Sequence, residues 1–344
     1  MTRALVTGGG GFVGQALVRA LLPRHDEVIS FQRNDCPALA KEGARIVRGD
    51  LTKRDDIAGA CADVDVVFHV AARTGFAGSL DAFRAVNVEG TQNVIDACLR
   101  NDITRLVYCS SPSVTLDGHD HHMADESVGY ATRFLAHYPR TKAEGEQRVL
   151  AANGLTSEAG KSLRTVALRP HLIFGPHDEH LMPRLISRAK KGRLRIIGDG
   201  TNEVDWTYVD NVAHAHICAA EALRQNDAKA AGKPYFITNG EPVNAWSFFN
   251  EILEKLGLPL LERKVPLAIA QRVGRIFDFS WRTFGLNGEP PLTEFAAVQV
   301  ATTHTYSIEN ARRELGYVPT VNMQDAVERT LPWLQKELHA GRFG

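Results

Sequence analysis

Tyr138 and Lys142 stand four residues apart, which on a helix puts both on one face, a single turn from each other. A free phenol titrates near about 10 and is a poor base at neutral pH. A neighbouring ammonium, or an oxidised nicotinamide, favours the phenolate and pulls that value down. Such a tyrosine can pass a proton to or from a carbonyl oxygen while hydride moves at the carbon. Ser111, in Cys109-Ser110-Ser111-Pro112-Ser113, follows an apolar run at 106–109. A hydroxyl at a strand end can hold the same oxygen. The chain opens on a second constellation, Thr7-Gly8-Gly9-Gly10-Gly11-Phe12-Val13-Gly14. Gly8, Gly11 and Gly14 suit a tight turn, close approach of backbone to a pyrophosphate, and close packing of helix on sheet. The helix that begins at Phe12 and Val13 would turn its free N–H groups to the phosphates. Each pattern alone has a plainer reading, a surface helix turn or a β-turn without a ligand. Their order along the chain favours the chemistry.

The residues that would complete a dinucleotide site follow in turn. An NAD site usually carries an acid at the end of the second strand, where it bonds the ribose 2′-OH. Here that stretch reads Ser30-Phe31-Gln32-Arg33, with no acid before Asp35. A neutral residue followed by Arg33 suits a 2′-phosphate, so NADP(H) is the expected cofactor and NAD(H) the second option. Asp50, in Gly49-Asp50-Leu51, could accept from the adenine amino group with Leu51 against the ring. Capping the turn that follows is an equal alternative for Asp50. Ala71 and Ala72 end the fourth apolar run with side chains small enough for a cofactor to cross the strand ends.

These residues need strands and helices to hold them. Short β-branched runs at 4–7, 28–31, 44–47, 64–69, 106–109 and 165–168 alternate with helical patterns. Val13, Ala16, Leu17, Ala20 and Leu21 share one helical face, and Pro23 stops that helix. A longer helix is expected over 80–99. The alternation predicts an α/β fold, a Rossmann-type doubly wound parallel sheet built from right-handed βαβ units. Residues 1–170 read as the dinucleotide-binding domain. Residues 171–344 read mainly as a smaller C-terminal α/β substrate cap, with some segments returning to the sheet.

Composition narrows the class. Of 344 residues, 44% are hydrophobic and 23% charged, too apolar for disorder and enough for a large core. Forty basic residues balance forty acidic ones, which argues against broad binding to nucleic acid. Five scattered cysteines without a CxxC suit a reducing cytoplasm better than a disulfide framework. No stretch reads as a signal peptide or a transmembrane span. His119, His121 and His122 read as a solvated loop, His177-Asp178-Glu179-His180 as a cap loop, and Cys109 as core; no metal is expected.

With these motifs in order, the chain resembles the extended short-chain dehydrogenase/reductases, which share the fold of nucleotide-sugar epimerases and 3β-hydroxysteroid dehydrogenases. The resemblance rests on the glycine turn, Gly49-Asp50-Leu51, Ala71-Ala72, Asn87-Val88-Glu89-Gly90-Thr91, Tyr138-Pro139-Arg140-Thr141-Lys142, Leu168-Arg169-Pro170 and Gly175-Pro176. It implies Ser111, Tyr138 and Lys142 as the catalytic set, with Lys142 also bonding the nicotinamide ribose. Finer words, such as Ser111-Pro112-Ser113-Val114 and Gly288-Glu289-Pro290-Pro291-Leu292-Thr293, are similar to bacterial 2-alkyl-3-oxoalkanoate reductases of long-chain olefin biosynthesis. That likeness implies NADPH-dependent, reversible reduction of a hydrophobic 2-alkyl-3-oxoalkanoic acid to the 3-hydroxy acid. It also implies a homodimer, open to assembly with other enzymes of a pathway. The rivals are a sterol-type 3-hydroxy dehydrogenase, a nucleotide-sugar epimerase and, outside enzymes, a dinucleotide-sensing regulator.

Two further patterns bear on a greasy acid. On a helix over 267–284, Gln271, Arg275, Asp278 and Arg282 share one face. Ile269, Val273, Ile276, Phe277, Trp281 and Phe284 share the other. That helix packs on a cap core, covers acyl chains as a lid, or faces a partner or membrane. Arg73 and Arg184 are candidate cations for a substrate carboxylate.

Overall fold

The computed structural model describes residues 2–179, 181–284, 286 and 288–343. His180 and the side chain of Arg282 lie outside the described residues. Seven parallel strands form the central sheet: β1 (Arg3–Thr7), β2 (Glu27–Gln32), β3 (Arg45–Arg48), β4 (Val66–His69), β5 (Arg105–Cys109), β6 (Arg164–Pro170) and β7 (Lys233–Ile237). Their order across the sheet is β7-β6-β5-β4-β1-β2-β3. Ala4, Leu5 and Val6 in β1, and Val66, Val67 and Phe68 in β4, are all buried. Such continuous burial is what a parallel sheet covered on both faces demands. On one face the Phe12–Leu21 and Val209–Arg224 helices close over a core that includes Val6, Leu17, Val107 and Leu223. On the other, the Arg54–Ala60, Gly90–Arg100 and His137–Ala151 helices close over Leu5, Ile57, Ile95 and Val149. The strand order reverses between β1 and β4, and at such a switch point a doubly wound sheet opens a crevice beyond its strand ends. Gly8 and Ala71 sit at that crevice.

The helix expected over 80–99 is three pieces: Leu80–Arg84, a π-turn at Ala85–Glu89, and Gly90–Arg100. A single π-turn often marks a functional site, because it re-aims one side chain without ending the helix. Asn87 lies at the middle of this turn and is buried.

A second core gathers Phe174, Trp206, Trp246, Phe248 and Phe249. Above it runs a small sheet in the order Val243–Asn244, Glu203–Val204, His304–Tyr306, His121–Ala124. His121 therefore does not lie in a solvated loop. Strand pairing buries it against the rings of His304 and Tyr306, at 6.2 and 5.9 Å between centroids, while His122 alternates outward. The partner strand is 183 residues away, beyond the reach of local polarity. Among the described residues no group of three or more His, Cys, Asp or Glu is arranged to hold a metal ion. Among them no helix is long and apolar enough to cross a membrane.

Candidate active site

The glycine turn is built by contact. The Gly8 N–H donates to the Phe31 carbonyl at 2.8 Å, and the Gly11 N–H to the Gly8 carbonyl at 2.9 Å. Gly8 has φ of +71°, and a Cβ there would fall 2.7 Å from the Ala71 Cα. A Cβ on Gly14 would fall 2.0 Å from the Gly8 carbonyl oxygen. The Phe12–Leu21 helix starts at Gly11 with no side-chain cap, so its first N–H groups face the crevice unpaired by any cap. The Gln32 amide lies about 3 Å from where a Gly10 Cβ would stand. It accepts from Ser30 Oγ at 2.7 Å and donates to the Asn34 carbonyl at 3.0 Å. Arg33 is exposed beside it, and Asp35 is turned to Arg48 at 3.5 Å. This cradle of bare backbone and helix N-terminus fits a dinucleotide diphosphate. Asp50 caps the turn that follows: its Oδ1 accepts from both the N–H and the hydroxyl of Thr52, each at 2.9 Å. That backbone bond, aided by Arg33, holds its carboxyl below the ordinary value. Leu51 is buried, and Asn93 donates to its carbonyl at 2.7 Å.

Ser111 follows β5 and accepts from the Ser113 N–H at 3.2 Å, starting a short 3₁₀ turn at Pro112–Thr115. Tyr138 opens the His137–Ala151 helix. Burial pushes its phenol above the ordinary value, and the Ser111 hydroxyl beside it pulls part of the way back. Lys142 is almost fully buried. Its Nζ donates to the Cys109 carbonyl at 2.7 Å and lies 4.0 Å from the centre of the Tyr108 ring. Burial brings it down to about 8, against the pull of Cys109 and Glu146. The expectation of a phenol lowered by its lysine is thus not met in this geometry. A buried ammonium needs an acceptor, and it finds one on β5.

Two supports had no role assigned from the sequence. Asn87 donates to the Arg73 carbonyl and to Thr141 Oγ1, both at 3.0 Å, and accepts from the Arg73 N–H at 2.7 Å. It clamps the loop after β4 to the helix of Tyr138 and Lys142. One turn beyond Lys142, Glu146 is fully buried and takes Arg169 Nη2 at 2.6 Å, Arg169 Nε at 3.1 Å and the Tyr130 hydroxyl at 2.9 Å. The sequence offered Asn87 only within the Asn87-Val88-Glu89-Gly90-Thr91 word, with no role attached, and Glu146 only as a polar residue at a helical position flanked by core. His69, at the end of β4, bridges Thr7 at 2.7 Å and Thr91 at 3.0 Å, and burial brings it down to about 3, so it stays neutral.

A cleft of about 530 Å³ lies next to this site. Phe76, Leu80, Leu135, Trp281 and Pro290 line it, and it reaches Ala136 and His137, immediately before Tyr138. The Leu267–Phe284 helix gives it Asp278 and Trp281. Its apolar residues do not turn inward together. Ile269, Val273, Ile276 and Phe284 are exposed, while Phe277 packs edge-on against Trp281. Polar contacts accompany this orientation: Asp278 accepts from the Glu294 N–H at 2.9 Å, and Arg275 meets Glu294 at 2.7 Å.

Hydride exchange between a nicotinamide and a CH–OH carbon is the work of oxidoreductases, and the class to which this chain is assigned is theirs. The chain belongs to the 3-beta hydroxysteroid dehydrogenase/isomerase family, whose model matches residues 5–268. It is 47% identical to a 2-alkyl-3-oxoalkanoate reductase of Stenotrophomonas maltophilia (strain K279a), over 95% of this chain and 98% of that protein. It is 37% identical to the human decarboxylating sterol-4-alpha-carboxylate 3-dehydrogenase, over 96% of this chain and 87% of that protein. Its fold is similar to the crystal structure of gox2253, with a TM-score of 0.77, 26% identity, and coverage of 98% of this chain and 99% of that one.

Proposed function

We propose that this protein reduces a hydrophobic 2-alkyl-3-oxoalkanoic acid to the 3-hydroxy acid with NADPH, and runs the reverse oxidation. The cleft carries the proposal. Its walls at Phe76, Leu80, Leu135, Trp281 and Pro290 suit alkyl chains far better than a polyhydroxylated sugar diphosphate. The names of both relatives point the same way, since each sets a carboxylate on the carbon next to the reacting one.

A bound nicotinamide supplies hydride to the ketone carbon. Tyr138 gives its phenolic proton to the ketone oxygen, and Ser111 donates its hydroxyl to that oxygen. Burial that keeps Tyr138 protonated suits this acid role. Lys142, anchored on the Cys109 carbonyl, balances the phenolate left behind and would bond the nicotinamide ribose. Gln32 and Arg33 at the end of β2 support NADP over NAD, because a guanidinium meets a 2′-phosphate and a carboxylate would repel it.

The test is an oxidation screen of 2-alkyl-3-hydroxy acids, sterols and UDP-sugars, each with NADP and with NAD, read by absorbance of the reduced cofactor. Turnover of the alkyl hydroxy acids with NADP is expected. Epimerised sugar with no net cofactor reduction would replace this reading. Arg33→Ser is expected to raise KM for NADP by about ten-fold or more, the loss of one charged hydrogen bond, while KM for NAD stays within about two-fold. Equal changes for the two cofactors would make Arg33 a surface cation only.

A further inference from the structure

A β-keto acid brings its carboxylate into the cleft two carbons from the reacting ketone, and burying that charge is costly without a cation. Two arginines stand near the cleft. Arg184 is already committed to Glu289, at 2.5 Å. Arg73 is not: among the described residues it forms no ion pair.

The Arg73 backbone is tied into the site, while its side chain lies exposed at the cleft rim. Asn87 grips both its backbone N–H and its carbonyl, and the same Asn87 amide donates to Thr141, whose hydroxyl in turn donates to the Tyr138 carbonyl at 3.1 Å. The Arg73 guanidinium lies 5.2 Å over the Phe83 ring and donates from Nη2 to the Ala77 carbonyl at 3.2 Å. Phe83 in turn contacts the ring of His137, at 6.1 Å between centroids. Ala77, Gly78 and His137 all line the cleft. Gly78, at φ of +120°, leaves the room: a Cβ there would stand 2.7 Å from Nη2. A planar cation is thereby held against the cleft wall, with its backbone tied to the helix that carries Tyr138.

We infer that Arg73 is the carboxylate subsite, reading the acid group of a 2-alkyl-3-oxo or 2-alkyl-3-hydroxy acid while Tyr138 meets its oxygen. The guanidinium keeps its Ala77 bond on one edge and offers its remaining N–H groups to the carboxylate. This rests on the proposed reaction but is tested apart from it.

The experiment titrates the full-length protein with NADP present, using 2-butyl-3-hydroxyoctanoate and its methyl ester as probes. Tryptophan emission reports binding, Trp281 being in the cleft wall, and cofactor absorbance reports turnover. Arg73→Gln is expected to weaken the acid by about ten-fold or more, roughly 1.4 kcal/mol or above, and leave the ester unchanged. Arg73→Lys is expected to recover part of the acid's affinity, since it restores charge without the fork. Equal loss for acid and ester would show Arg73 only props the 75–80 loop and would overturn the inference. So would an acid unaffected by Arg73→Gln. If the unmodified protein binds the acid through Arg73 but turns neither probe over, the reductase reading fails and the subsite stands.

Discussion

Tyr138→Phe is expected to lower kcat by about 10²–10⁴-fold, the usual worth of a positioned general acid, while leaving stability and cofactor binding near unchanged. The substitution removes one oxygen and keeps the ring, so the opening turn of the His137–Ala151 helix keeps its packing. The hydroxyl's neighbour is Ser111, which retains its own bond from the Ser113 N–H. KM is expected to move far less than kcat, because the proton is transferred only as the oxygen gains charge. Steady-state kinetics with a 2-alkyl-3-hydroxy acid, alongside a cofactor titration by fluorescence, checks both halves. A kcat within three-fold of the unmodified protein would remove Tyr138 from the chemistry and with it the proposed mechanism.

Glu146→Gln has the largest expected effect on stability. The carboxylate is fully buried and answers the equally buried guanidinium of Arg169, whose Nη1 has no partner among the described residues. Removing its charge leaves a buried cation unpaired, which typically costs about 3–5 kcal/mol. Urea unfolding followed by circular dichroism measures this directly. A second consequence reaches the active site. Glu146 lies one turn from Lys142 and favours its ammonium, which burial otherwise disfavours. Without that negative charge, the Lys142 value falls further below about 8. Activity that needs the ammonium is then lost at lower pH, so the alkaline limb of the rate profile moves toward neutrality. Pairing Glu146→Leu with Arg169→Met is expected to recover much of the stability, since two apolar residues replace the ion pair, but not the pH limb. An alkaline limb that stays put in both variants would confine the pair to a structural role.

The two variants probe different depths of what was legible beforehand. Gly8, Gly11, Gly14, Ser111, Tyr138 and Lys142 were readable because their constraints are local or tied to a strand end. The clash that forbids a side chain on Gly14 involves Gly8 only six residues away. Likewise helical pitch places Tyr138 and Lys142 one turn apart on the same helix. The parallel sheet was readable for a similar reason, since a strand buried on both faces must be apolar throughout, as Leu5 and Val67 are.

Other features depend on residues far apart in the chain. The acceptor for Lys142 is a backbone carbonyl 33 positions earlier, and the partner of Glu146 is 23 positions later. His121 looked solvated until His304–Tyr306 paired with its strand. The Leu267–Phe284 helix turns Asp278 as well as Trp281 to the cleft, with Arg275 and Asp278 bonded to Glu294, against the simple apolar count. Amino-acid order thus specified the backbone cradle, the placement of Ser111, Tyr138 and Lys142, and the sheet, because period, size and sterics act within a few residues. Only the folded chain settled how the buried charges are answered and which helix face lines the cleft, because Coulomb attraction and desolvation depend on distance in space and not along the polymer.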